Sequence, residues 1–230
     1  MSVEAPGGSP LRDELGLRAL RDAACDDGDD PTPEQTEGPY HRDAPPERRD
    51  ITEDREGAAL RCGLRLVDAE TGDALSGVQV EVWQADQEGN YSGFRPLRAR
   101  PGQVVTSATV PRDIVTPSET FLRGNQRTDG RGMCAFDTIY PGWYASRTVH
   151  IHVILHLEHR RAVTQLYFDD GLTDEVFARP PYADRRPRDT TNVTDSIFAD
   201  GGERTVLHVT GDPAGPMTGG RWLGVELALR

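Results

Sequence analysis

Tyr140-Pro-Gly-Trp-Tyr-Ala-Ser-Arg-Thr-Val-His-Ile-His-Val-Ile-Leu155 is the stretch on which the reading of this chain turns. Its second half is a β-branched apolar run that reads as a strand, interrupted by two histidines one residue apart. Side chains alternate along a strand, so His150 and His152 point to the same face. Their Cα atoms are about 6.6 Å apart, close enough for both imidazoles to reach one ion. His156 continues that face, but about 13 Å from His152 it is too far to share a metal. Upstream, the turn signal Pro141-Gly142 delivers Tyr144 and Arg147 beside the strand. The pattern suits a metal site with a phenol among its donors. Spacing alone leaves a merely histidine-rich strand as an equal alternative.

Composition narrows the classes. The chain has 230 residues, 36% of them hydrophobic, enough for one compact domain. A net charge of −12 repels phosphate backbones and argues against a nucleic-acid partner. All 26 Lys and Arg residues are arginine, so no lysine chemistry is available. Cys25, Cys62 and Cys134 lack C-x-x-C spacing and cannot all pair within one chain, as expected of reduced, buried thiols in a cytoplasmic protein. No apolar run is long enough for a membrane span, and the N-terminus lacks a secretory pattern.

Outward from the histidine strand the pattern is β. Leu60–Val67 alternates, and Val78, Val80 and Val82 share one face of the next run. Met133–Ile139, Val149–Leu157, Val163–Phe168, Thr205–Thr210 and Trp222–Leu229 follow, the middle pair reading as a hairpin. Short strands with regular turns predict a mainly β chain folded as an antiparallel sandwich with little helix. Residues 1–30 are an acidic tail or a short helix over Leu11–Ala24, and 31–230 the β-sandwich domain. Two long connections, 93–125 and 169–202, read as functional or disordered loops. Seven arginines fall between Arg95 and Arg131, which suits a lid over an anionic ligand or a solvated loop of surface ion pairs.

Several segments, taken in order, match one family. Val80-Glu-Val-Trp-Gln-Ala-Asp-Gln-Glu-Gly-Asn-Tyr-Ser92 resembles the segment of the intradiol ring-cleavage dioxygenases that carries their first tyrosine ligand. Pro141-Gly-Trp-Tyr144 resembles the segment of the second, and Arg147-Thr-Val-His-Ile-His152 the arginine and the two histidine ligands. Val163-Thr-Gln-Leu-Tyr-Phe168 resembles the strand with an active-site glutamine, and Thr36-Glu-Gly-Pro-Tyr40 the N-terminal edge of the substrate cleft. The resemblance covers roughly residues 32–170. It looks closer to the protocatechuate-type subunit, or to shorter single-domain members, than to the branch with a long helical N-terminal domain.

The resemblance implies one Fe(III) per chain, held by Tyr91, Tyr144, His150 and His152 with a hydroxide. It implies a catechol-type substrate with O2, a cis,cis-muconate type product, and no membrane or nucleic-acid partner; a homo-oligomer such as a dimer is left open. Tyr144 is implied as the ligand that departs and accepts a substrate proton. Arg147 is implied as a fixed charge beside the ring, Gln165 as a hydrogen-bond donor near it, and Gly38, Pro39 and Tyr40 as pocket walls. The donor types fit: phenolate is a hard anion that favours Fe(III), and two phenolates plus one hydroxide balance its charge. Each residue also has a bland reading: a surface ion pair for Arg147, strand polarity for Gln165, a tyrosine packed over a turn for Tyr91, a plain turn for residues 38–40.

Two other classes compete. Cupins also place His-x-His on a strand, but Glu158 falls too far after His152, Gly142 sits at the wrong offset, and Gly211–Pro216 lacks the later histidine. A non-catalytic sandwich that binds carbohydrate or protein would share the architecture, but it leaves the coincidence of four ligands unexplained.

Overall fold

The structure is a computed structural model, and it describes residues 31–95, 113–158 and 160–226. The expected helix over Leu11–Ala24 and Cys25 lie outside these residues, as do Arg98, Arg100 and Arg112. Among the described residues eight strands form two four-stranded sheets. One sheet is ordered β4-β1-β8-β7, from β1 (Ala59–Asp68), β4 (Met133–Ile139), β7 (His208–Gly211) and β8 (Met217–Val225). The other is ordered β3-β2-β5-β6, from β2 (Gln79–Gln84), β3 (Arg123–Arg127), β5 (His150–His156) and β6 (Arg161–Tyr167). All neighbours are antiparallel except β1 and β8, which run parallel. The one helix among the described residues, α1 (Asp170–Phe177), has Asp169 as N-cap, accepting from the Leu172 N–H.

Alternation explains the sandwich. Leu60, Cys62, Leu64 and Leu66 of β1 and Val80 and Val82 of β2 are all buried in the inner core with Ile151, Val153 and Leu155 of β5. Cys62 and Cys134 are free, buried thiols there, and burial pushes Cys62 up to about 12.

β5 is buried on both faces, which is why it reads as an unbroken apolar run. Its odd-numbered residues face the other sheet. On the opposite face Ile154 joins Tyr40, Trp83, Ala85, Tyr91, Phe94, Tyr144 and Ala145 in a second, mainly aromatic cluster. His150 and His152 belong to that outer face, roofed by the segment 35–48 and by two turns.

Two assignments differ from expectation. β3 lies at the end of what reads as a connection, because Arg123-Gly-Asn-Gln-Arg127 shows no apolar alternation; its strand character comes from pairing with Gln79–Trp83. The region 169–202 is α1 followed by short 3₁₀ turns rather than an open loop.

Candidate metal centre

Two turns bring the phenols together. In the first, the Asp86 carboxylate accepts from the Glu88 and Asn90 N–H groups at 3.0 and 2.8 Å, shaping the residues that lead to Tyr91. In the second, the Gly142 N–H donates to the Asp86 carbonyl at 3.0 Å. The turns touch so closely that a Cβ at Gly142 would lie 2.3 Å from that carbonyl oxygen, and one at Gly89 2.2 Å from the Trp143 carbonyl. Only glycine permits this contact, and it sets Tyr91 and Tyr144 edge to face, ring centroids 5.6 Å apart. Beyond Tyr144 the chain folds back tightly, with Ser146 at φ +69° and Arg147 N–H donating to the Tyr144 carbonyl at 3.2 Å.

The tips of four side chains meet at one point. His150 Nε2 lies 3.1 Å from His152 Nε2, 3.2 Å from the Tyr144 hydroxyl and 3.5 Å from the Tyr91 hydroxyl. The Tyr91 hydroxyl is 3.2 Å from His152 Nε2. Donors held about 2.0–2.2 Å from one ion at ordinary angles sit roughly 3–3.5 Å apart, so the four tips are spaced as the corners around one small cation. The donor chemistry agrees. His150 Nδ1 is 2.7 Å from the Thr148 carbonyl, which fixes the tautomer and leaves Nε2 as a lone pair aimed inward. Burial, reinforced by the Arg147 charge, pushes His150 down to about 3; burial and the neighbouring His150 push His152 well down. Both rings are neutral and able to donate lone pairs at neutral pH. Burial raises both Tyr91 and Tyr144, so the phenols keep their protons unless a cation displaces them. Among the described residues no three His, Cys, Asp or Glu are grouped to hold a metal, so the donor set requires the tyrosines.

The other expected residues adjoin this point. Arg147 Nη1 is 3.4 Å from His150 Nε2 and 3.5 Å from the Tyr144 hydroxyl. Its Nη2 donates to Gln165 Oε1 at 2.5 Å and its Nε to Asp195 at 2.9 Å. Gln165 Nε2 donates to the Thr36 carbonyl at 2.8 Å, and its Oε1 also accepts from the Tyr167 hydroxyl at 3.2 Å. The amide therefore ties Arg147 to the N-terminal segment and has one N–H left over. Tyr40 stacks on Tyr91 with centroids 4.3 Å apart, Gly38 abuts His152, and half-buried Pro39 completes their turn. His156 does not join the site; it bonds Glu81, which also binds His41. The arginine-rich connection is not a uniform lid. Arg123 and Arg127 belong to β3, and Arg123 is buried, bonded to the Ser92 hydroxyl at 2.7 Å, because its strand runs beneath the Tyr91 turn.

Sequence reasoning missed three neighbours. Trp83 faces His152 across the β2–β5 pairing, Thr148 orients His150 through its backbone, and Asp195 arrives from a distant turn. Only Trp83 carried a signal, being two residues from Glu81 on a strand whose valines face the other way.

The comparisons agree with this geometry. Residues 35–188 match the family model described as "Dioxygenase". An intradiol ring-cleavage dioxygenase from Tetranychus urticae is 30% identical, aligned over 87% of this chain and 97% of that one, with a TM-score of 0.76. The dioxygenase domain of a dioxygenase carbohydrate-binding protein fusion from Streptomyces sp. SirexAA-E is 27% identical over 86% of this chain and 100% of that one, TM-score 0.61. Catechol 1,2-dioxygenase from Pseudomonas arvilla, at 20% identity over 96% of this chain and 74% of that one, shares the fold with a TM-score of 0.55. No curated protein sequence matches. The cupin and non-catalytic readings fall away, and the chain belongs to the intradiol ring-cleavage dioxygenases.

Proposed function

We propose that this enzyme opens the ring of a catechol between its two hydroxylated carbons, using O2 and one Fe(III) held by Tyr91, Tyr144, His150 and His152. The observation that carries the proposal is the meeting of two phenol oxygens and two imidazole Nε2 atoms at 3.1 to 3.5 Å in a buried site. When bound, Fe(III) supplies a Lewis acid that both catechol oxygens can chelate. The rest is the work of the chain. Two phenolates offset the ion's charge, and hard oxygen donors favour the ferric state.

A catechol bound as a dianion would give up two protons, one to the hydroxide that would accompany the metal and one to a side chain. Tyr144 is suited to take one at its phenolic oxygen, because burial favours the protonated phenol and outweighs the opposing charge of the Arg147 Nη1 beside it. Arg147 also places positive charge next to the bound ring, where electron density builds as O2 attacks. Trp83, Tyr40 and the 36–40 segment keep bulk water from the His152 side. Ring opening gives a muconate-type diacid.

The test is oxygen uptake across a panel of substituted catechols, with product absorbance and metal content measured on the same preparation. One iron per chain, a visible tyrosinate-to-iron charge-transfer band bleached by dithionite, and stoichiometric oxygen uptake are expected. A colourless protein carrying zinc or ferrous iron, inactive on every catechol, would overturn the proposal.

A further inference from the structure

We propose that Asp195, which follows the 3₁₀ turn Asn192–Thr194, is the positioning residue that aims the Arg147 guanidinium at the metal-binding point. The inference rests on the ring-cleavage reading above and assigns a job to the 169–202 region.

Asp195 is 2% exposed, and both of its oxygens are engaged. Oδ1 accepts from the Ile197 and Phe198 N–H groups at 2.7 and 3.1 Å, closing its own turn. Oδ2 points the other way, accepting from Arg147 Nε at 2.9 Å and from the Thr148 N–H at 2.7 Å. A carboxylate needed only to close a turn has no use for the second pair. Burial alone would raise its pKa, but the Arg147 charge and these N–H bonds hold it below the usual carboxylate range, so it is an anion at neutral pH.

The guanidinium is a rigid plane with three donor edges. Asp195 holds Nε and Gln165 Oε1 holds Nη2, so Nη1 is left facing Tyr144 and His150. Fixing two edges of a planar fork fixes the third. The same carboxylate oxygen grips the N–H of Thr148, whose carbonyl is bonded to His150 Nδ1. One distant side chain thus braces both the arginine and the peptide that orients a proposed ligand.

A second side chain of this turn bonds elsewhere. The Asn192 amide donates to the Phe168 carbonyl at 2.8 Å and accepts from the Thr148 hydroxyl at 2.7 Å. Thr191 and Thr194 cap each other across the short turn between. Asn192 ties this turn to the sheet without touching the guanidinium, so it serves as an internal control.

The experiment uses the iron-loaded full chain and compares Asp195→Asn, Asp195→Glu, Asn192→Ala, Arg147→Leu and the Asp195→Asn/Arg147→Leu double variant. Asp195→Asn turns an amide against donors and should lower kcat by roughly 10- to 100-fold, the scale of a misplaced group. It should keep its iron and bind catechol within a few-fold of wild type in a spectral titration. Its visible band should shift, because Nη1 no longer faces Tyr144. In the Arg147→Leu background the same change should cost little more than about 2-fold and leave the band where Arg147→Leu put it. Asn192→Ala should lower Tm while keeping kcat within a few-fold. If Asp195→Asn does not fold, Asp195→Glu keeps the charge one methylene too long and should show a smaller loss of kcat with iron retained.

Fully multiplicative losses in the double variant, or an Asn192→Ala loss in kcat matching that of Asp195→Asn, would overturn the assignment and leave Asp195 a turn-closing residue. A wild-type protein inactive on every catechol would instead sink the ring-cleavage reading itself, and the brace with it.

Discussion

Trp83 lies flat against His152, ring centroids 4.6 Å apart and planes within 4°. The two residues are direct partners in the β2–β5 register, so the stack is a cross-strand pair on the outer face of the sheet. It holds the imidazole edge-on to the meeting point of the four donors. Trp83→Phe should preserve the stack, whereas Trp83→Leu should let the ring turn. Iron affinity is expected to fall roughly 10- to 100-fold in Trp83→Leu, as for other residues that orient metal ligands, and much less in Trp83→Phe. Competition with a chelator measures both; equal affinities would show that the stack orients nothing.

The three β5 histidines on this face should separate cleanly. His150→Ala and His152→Ala each remove a donor and should empty the site. His156→Ala should keep most of its iron, since His156 is bonded to Glu81 instead. Metal analysis of the purified variants decides, and an empty site in His156→Ala alone would reverse the assignment.

Tyr144 and Arg147 should fail differently. Tyr144→Phe removes a donor and the proposed proton acceptor, leaving three donors, so part of the iron should remain with abnormal catechol spectra and slow turnover. Arg147→Leu should keep iron and colour and lose roughly 10²-fold or more in kcat. Oxygen uptake and visible spectra with and without catechol provide the comparison. Full activity in Arg147→Leu across the panel would return the arginine to a structural role.

Gly38 sits at φ +73°, and a Cβ there would come within 3.2 Å of His152 Cε1. Gly38→Ala imposes a left-handed backbone cost of about 1–2 kcal/mol and presses on that ring. Tm should fall by several degrees and iron should bind more weakly. An unchanged chelator competition curve would mean that the segment yields without disturbing the ring.

Stability should be lost in acid. Burial opposes ionisation of Glu81, but its bonds to His41 and His156 hold it below the usual carboxylate range, and Asp195 is held below that range too. A depressed folded pKa stabilises the protein above the unfolded value, near 4, and the gain disappears as pH falls through the folded value. Denaturation midpoints should begin to fall below about pH 6.5, where His150 and His152 protonate in the unfolded chain but not in the folded one, and fall more steeply below about pH 4 as the two carboxylates lose their charge. The gap between wild type and Asp195→Asn should narrow over the same acid range; a gap constant down to pH 3 would argue against the ionised brace.

Much of the fold could be read from alternation. β1 and β4 show one apolar buried face plainly, the valines of β2 show its inner face, and the His-x-His spacing already placed two imidazoles on one side of β5. β3 could not be read, because its residues are polar and its order comes from its partner strand. Tyr144 was legible from its turn beside the histidines, but Tyr91 only through the family pattern: what unites the two is contact between turns more than fifty residues apart in sequence, Gly89 against the Trp143 carbonyl and Gly142 against that of Asp86. Asp195 was illegible for a related reason. Nothing local distinguishes it from the other acids of its region, and only the three-dimensional return of the chain sets it against Arg147.

The centre lies on the outer face of β5, separated by the strand itself from the aliphatic layer between the sheets. Mutational tolerance should therefore be partitioned. A change in the segment 36–40 that roofs the histidines, or in the turn at Asp195, opens no void among Leu64, Leu66 and Val153. The roof over the histidines can therefore vary while the layer that keeps the molecule folded stays under its own, independent selection.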